Sequence, residues 1–493
     1  MESVSDMSGG SAVEAARRCG WEDPPPKRAT LKELHGIFKR IPKELLHDYR
    51  YFRGDGDFPY MSSLAMYLGC GMKTMGDLKF DNSLAALRLW NFMMYERERQ
   101  FKARQRGRKI FATIQDFGAL APIIMAGRNT LIYDFSWPVW DPFFTKNLEL
   151  FNLADRYGLD ENYCAIRVMV PAMMKQAYAP TPDICFAPVG AVCDDGAVTY
   201  QMADWLGRTC TWFEIPVRKE PRPYYRKARF RKSFGAGTEY QEHALDFLAQ
   251  EFLTVKEKVE EITGSPITPD DLRVAFAKVN RCRDLVSGIR DLVYGAPLCP
   301  LPATEMMFIE FAGANLYGDP DECILVLEHV YETVKRRVER GEGVLGQEAI
   351  RVTWAFLPLD VRIFRIFEDM GVRAAGADYM FHNCRHRIDE EGDPLRALAD
   401  NYLSASSIGS CEYRADLVIE QARRYGAEGV VFPGIFGASH CPAGGRVITD
   451  KVKRDLGLPT LSFDITLPGD EPLGQIRTRS EAFVEMLKSR RRY

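Results

Sequence analysis

The chain has 493 residues, 46% of them apolar and 27% charged, with a formal net charge of −3. That length exceeds one ordinary hydrophobic core, so two to four domains are expected. The near-neutral charge excludes a strongly basic nucleic-acid binder on bulk electrostatics, and no apolar run approaches the roughly 18 residues that span a bilayer.

Residues 1–27 are rich in Ser, Gly, Pro and charge, a composition that predicts disorder. The start is polar and acidic, without the basic end and apolar centre of a signal peptide, so a cytoplasmic protein is expected. Residues 28–106 read as a helical extension ending in "YERERQFKARQRGRK".

A first α/β domain is predicted over 107–220. "KIFATI" and "TLIYDF" look like short buried strands, and "DICFAP" follows a helical stretch. Residues 221–345 read as a helical domain of about three helices. One stops at Gly264, and the next starts at Thr268, with Pro269, Asp270 and Asp271 in its first turn. Asp319-Pro320-Asp321-Glu322 repeats that start signal.

A second α/β domain is predicted over 346–493, from "IRVTWAFLPL" through "VRAAGADYMF" and "GVVFPGIFG" to "LPTLSFDI". Two segments echo each other: LGRTCTWFEI at 206–215 and LGLPTLSFDI at 456–465. Each follows an apolar strand, a glycine-bearing loop with a cysteine (Cys193, then Cys441) and a helical stretch. The fold expected is therefore α/β, with two similar parallel-sheet domains of Rossmann or flavodoxin-like type facing a cleft. Ligands in such sheets lie beyond the carboxyl ends of the strands.

Twelve cysteines are scattered without a CxxC pair, so zinc fingers and ferredoxin-type cluster runs are not indicated. P-loop, GxGxxG, GxSxG and HExxH motifs are also missing. Any metal centre must be assembled from cysteines far apart in sequence. His440 beside Cys441 and Asp194 beside Cys193 could donate hydrogen bonds or carry protons near such a centre, or simply cap helices. Cys185, inside a strand, and Cys210 read as packing residues.

The segment "VRKEPRPYYRKARFRKSF" at 217–234 holds eight Lys or Arg against one Glu. Its cations, among them Arg226, Lys227 and Arg229, with interleaved aromatic rings suit the phosphates and adenine of coenzyme A. They equally suit single-stranded nucleic acid or a solvated linker.

"PTPDICFAPVGAVCDD", "KVEEITGSPITPDDLRVAFAKVNRCRDLV", "GASHCPAG" and "LGLPTLSFDITLPGD…GQIRTRSEAFVEML" together resemble the 2-hydroxyacyl-CoA dehydratase and benzoyl-CoA reductase family, over roughly 107–490. The resemblance implies a 4Fe–4S cluster held by Cys164, Cys193 and Cys441, with one iron open. It implies dehydration of an acyl-CoA thioester through a ketyl radical, or reduction of an aromatic acyl-CoA. It also implies a homologous second subunit and an ATP-hydrolysing activator protein. Family dehydratases carry a serine-rich stretch and a glutamate for acid/base work. Here Thr113 and Asp134 stand near those places, so a non-catalytic partner or electron-relay subunit is the competing expectation.

Overall fold

The computed structural model describes residues 12–47, 63–113, 118–134, 136–220, 229–234 and 237–492. Residues 12–27 are ordered, against the disorder their composition suggests. Helix α1 (Ala12–Arg18) is followed by a segment held at Asp23, which accepts the Leu84 N–H at 2.9 Å and pairs with Arg336 at 3.0 Å. A polar segment needs few apolar contacts when its carboxylate finds buried donors. Residues 1–11 lie outside the described part. The extension that follows is not purely helical, because β1 (Arg28–Thr30) pairs antiparallel with β2 (Lys79–Asp81). Arg28 then reaches Glu368 at 2.8 Å, tying the extension to the second α/β unit.

Two four-stranded parallel sheets carry the architecture. The first holds β3 (Lys109–Thr113), β4 (Thr130–Asp134), β5 (Ile184–Gly190) and β6 (Cys210–Ile215) in the order β4-β3-β5-β6. A short antiparallel pair, β7 (Phe230–Lys232) and β8 (Glu239–Gln241), follows. The second sheet holds β9 (Ile350–Trp354), β10 (Val372–Ala377), β11 (Gly429–Ile435) and β12 (Thr460–Ile465) in the order β10-β9-β11-β12. Both orders read second, first, third, fourth. The two echoing sequence segments become β6 and β12, the fourth strands at equivalent edges. In this order the winding direction reverses between the first and third strands, opening a crevice at their carboxyl ends.

Four α-helices stand between the sheets: α2 (Glu242–Thr263), α3 (Pro269–Gly295), α4 (Ala303–Asn315) and α5 (Pro320–Arg340). Thr268 and Asp271 form a reciprocal capping box at the start of α3, with Pro269 at its first position, and Asp319 caps α5. The count exceeds the sequence reading by α4. That helix is buried on every side from Ala303 to Ala314, so it has no polar face to mark its period. One hydrophobic core runs continuously through both sheets and these helices. Among the described residues no helix is long and apolar enough to cross a membrane.

Candidate functional site

Cys193 lies three residues beyond β5, at the N-cap of a helix spanning Asp194–Trp205. Cys441 lies six residues beyond β11, in the loop before the helix Gly445–Leu456. Both loops leave the third strand of their sheet, where the crevice opens. Cys164 comes from a different element, the N-cap of a short 3-10 turn (Ala165–Val168). All three are buried and in no disulfide.

The fold brings these thiols together. Cys193 lies close enough to Cys441 that, together with burial, it pushes the Cys441 thiol well above its ordinary range. Burial pushes the Cys164 thiol up, and the nearby Cys193 and Asp195 push it further against a hydrogen bond from the Ile166 N–H. Among the described residues no group of three His, Cys, Asp or Glu side chains closes around a point tightly enough to hold a single metal ion. The thiols share an environment without forming a mononuclear site.

Two contacts lock the loops across the domain boundary. Asp195 Oδ2 accepts the Cys193 thiol at 3.5 Å, the Ser439 N–H at 2.9 Å and the Ser439 hydroxyl at 3.1 Å. Gly437, at φ +77°, lies so close to the Cys164 loop that a Cβ would stand 2.7 Å from the Tyr163 carbonyl oxygen. Arg414 closes the far side. It donates to the carbonyls of Cys441 (2.9 Å) and Ala355 (3.0 Å), pairs with Asp378 (3.3 Å), and lies over the rings of Phe356 and Phe432.

The remaining expected residues fall elsewhere. Asp194 is exposed in the first helical turn, and the buried acid beside the thiols is its neighbour Asp195. His440 is half-buried, and its Nε2–H is directed to the Ser407 carbonyl at 3.0 Å. Arg226 and Lys227 lie outside the described residues. Arg229 is exposed, its carbonyl accepting the Glu242 N–H at the head of α2. The basic segment is anchored at both ends against the second domain. Arg218 donates to the Leu403 and Ala405 carbonyls, and Ser233 and Phe234 bond Asp400. Cys185 and Cys210 are register partners on the neighbouring strands β5 and β6. Thr113 and Asp134 are register partners at the carboxyl ends of β3 and β4. The Asp134 side chain lies outside the description.

Sequence reasoning missed Asp195, Arg414 and the loop after β10. That loop carries His382, Arg385 and His386, and the long helix α3 fixes it. Asn280 bonds both the N–H and the carbonyl of Ile388, and Arg283 donates to the His386 carbonyl.

Over residues 142–487 the chain matches the model of the 2-hydroxyglutaryl-CoA dehydratase D-component. The chain belongs to this dehydratase D-component family. The matched range covers all three thiol-bearing loops, the helices between the sheets and the whole second sheet. It begins beyond β3 and β4, so the helical extension and the first two strands of the first sheet stand outside it. The chain is also similar to the protein named "Putative dehydratase subunit YjiM" of Escherichia coli (strain K12), at 26% identity over 249 residues. That alignment covers 48% of this chain and 62% of the relative's length. For a dehydratase D-component, the informative region is the crevice where the two equivalent loops meet Cys164.

Proposed function

We propose that this chain is the 4Fe–4S subunit of a 2-hydroxyacyl-CoA dehydratase-type enzyme, with Cys164, Cys193 and Cys441 as the cluster ligands. The observation that carries the reading is the convergence of three buried, unbridged thiols from three separate elements. Thiolate sulfur suits cluster iron, and each ligand of such a cluster binds its own iron atom. A wider spacing than a single ion requires is therefore consistent with the donor set. Cys193 also pushes both the Cys164 and the Cys441 thiol toward the protonated form, so their ionisation calls for a cationic centre beside them.

When bound, a cluster with three protein ligands supplies an open iron that can take a thioester carbonyl oxygen and deliver one electron. The protein's own residues do the rest. Asp195 holds the Cys193 loop against Ser439 of the facing domain, and Arg414 fixes the Cys441 backbone. The aromatic rings of Phe356 and Phe432 under Arg414 keep water from that side of the site. A homologous second subunit and an ATP-hydrolysing activator belong to this proposal as partners.

Iron and acid-labile sulfide analysis after strictly anaerobic purification tests it. About four irons per chain are expected, and Cys193→Ala or Cys441→Ala should lose them. Iron-free protein, unchanged by either substitution, overturns the reading. The electron-relay alternative draws on Thr113 standing at the end of β3, where dehydratases carry serines. Spectral change of the cluster on adding an acyl-CoA thioester separates a catalyst from a relay.

A further inference from the structure

A cavity of about 740 Å³ lies between the helical extension, the edge strand β4 and the heads of α3 and α5. It reaches Arg108, Asn129 and Thr130, at the amino ends of β3 and β4. The loops of Cys193 and Cys441 leave the opposite, carboxyl ends of their strands. The outer wall of the cavity, the helix Glu96–Gln105, stands outside the family match, which therefore does not account for it. The volume is in the range that holds one small molecule.

That wall is cationic. Arg99, Lys102 and Arg106 recur at helical spacing, which puts them on one face, and Arg108 follows where the chain enters β3. Arg99 pairs with Glu96 at 2.5 Å, while Arg108 donates to the Thr130 carbonyl, a neutral acceptor. The carboxyl end of a helix favours cations, yet like charges at these spacings repel one another. An anion lying against the wall relieves that repulsion.

The facing wall holds Asp271, Asp319 and Asp321, and donors already occupy these acids. Asp271 accepts the Thr268 N–H and hydroxyl, Asp319 accepts the Glu322 N–H, and Asp321 pairs with Lys278 at 2.8 Å. Among the described residues no such group of acids converges on a metal position. A peptide strand finds no row of open acceptors on β4 either, because Arg108 and Gln100 take the Thr130 and Ile132 carbonyls. The rest of the lining includes apolar Ile124, Met125, Leu131 and Val274, the last 62% exposed. Leu316, Tyr317 and Gly318 turn in succession through the left-handed region at one rim, at φ +54°, +49° and +70°. Such a turn persists only where packing enforces it. A Cβ on Gly318 would stand 2.8 Å from Glu96 Oε1, so the turn and the cationic helix are pressed together and the cavity is preformed.

We propose that this cavity is a binding site for a nucleoside diphosphate. The phosphates lie against Lys102, Arg106 and Arg108, whose guanidinium forks and ammonium suit phosphate oxygens. The acids opposite repel further negative charge and suit the neutral hydroxyls of a sugar. The base packs on the apolar lining, which an inorganic anion would leave in water. The site is independent of the iron–sulfur reading and stands whether or not a cluster binds.

Calorimetric titration of the full-length protein with ADP, adenosine and pyrophosphate tests it. ADP should bind at least about tenfold tighter than either fragment, since each fragment makes only one of the two kinds of contact. Replacing both Lys102→Gln and Arg106→Gln should weaken ADP at least about tenfold and leave adenosine unchanged. Lys102 is half-buried and Arg106 exposed, so the variant should fold, and far-UV circular dichroism verifies that. Arg424→Gln, which removes an exposed cation of the helix Cys411–Arg424, should leave ADP binding as it was. Absence of ADP binding to the unmodified protein overturns the site and needs no folded variant. So does ADP affinity that survives the double substitution. Pyrophosphate binding as tightly as ADP would leave an inorganic anion site and overturn the nucleoside. Displacement of ADP by CoA would assign the cavity to the nucleotide end of CoA and overturn a separate site.

Discussion

Asp195 and Ser439 are 244 positions apart, yet one carboxylate oxygen of Asp195 accepts both the N–H and the hydroxyl of Ser439. The same oxygen faces the Cys193 thiol at 3.5 Å. A single acid thus joins the two α/β units at the point where their cysteine loops meet. Its bonds are charge-assisted, and removing them should cost about 2 kcal/mol. Asp195→Ala is expected to lower the unfolding free energy by that amount and to reduce bound iron. Asp195→Asn should recover part of the stability, because its amide oxygen still accepts the Ser439 N–H. Urea denaturation beside iron analysis checks both; an alanine variant as stable as the parent would remove Asp195 from this role.

Gly437 makes the second join. Its Cβ position is 2.7 Å from the Tyr163 carbonyl oxygen and 2.9 Å from that of Glu161, and its φ is +77°. Gly437→Ala therefore combines roughly 1–2 kcal/mol of backbone strain with displacement of the Cys164 loop. Gly457, the left-handed cap at the end of the helix Gly445–Leu456, is the control, since nothing lies within 4 Å of its Cβ position. Gly457→Ala should show the strain alone and keep its iron. Gly437→Ala should lose iron while its far-UV circular dichroism stays native. Equal iron contents in the two variants would show that the loop contact does not hold the site.

Much of this fold was legible because its strands are short, buried and rich in branched residues, and because β6 and β12 repeat one segment. The helix α4 was not legible, since burial on every side erases the helical period. Cys193 and Cys441 could be placed at strand ends from pattern alone. Cys164 entered only through the family resemblance, and its convergence with them depends on packing. Asp194 and Asp195 are adjacent in sequence but point about 100° apart on a helix, and only the register of Asp194–Trp205 decides which faces the thiols. Arg414 carries no local signal, because its partners come from other loops.

The two contacting histidines of the loop after β10, His382 and His386, predict an acid-sensitive stability. Burial, with Arg385 and Arg283 nearby, lowers the His386 pKa to about 4, and burial with Arg385 and His386 holds His382 well below 6.5. The unfolded chain takes up the His386 proton below about 6.5, whereas the folded protein resists until about pH 4. Stability is therefore full above pH 6.5 and falls as pH drops through that window, by roughly 1 kcal/mol per pH unit from His386. His386→Asn should flatten the slope between pH 6.5 and 4 in urea titrations. An unchanged slope would mean that His386 titrates normally in the folded protein.

Glu305 predicts the opposite slope on the alkaline side. It projects from α4 into the interior, where Oε1 accepts the Asp81 N–H at 3.0 Å and the Trp90 indole N–H at 2.9 Å. Its other oxygen is buried with no partner among the described residues. Burial outweighs the Trp90 hydrogen bond and, with Asp81 nearby, pushes the carboxyl up to about 8. The folded protein therefore keeps a proton that the unfolded chain releases above pH 4.5. Stability from this group is complete below pH 4.5 and declines toward pH 8, by roughly 1 kcal/mol per pH unit. Glu305→Gln supplies a neutral side chain of the same shape, whose oxygen still accepts both donors. The variant should lose this slope and be more stable than the parent at pH 8, with the gap narrowing toward pH 6. Denaturation midpoints at pH 6, 7 and 8 decide it, and parallel pH profiles would show that Glu305 is already ionised within the fold.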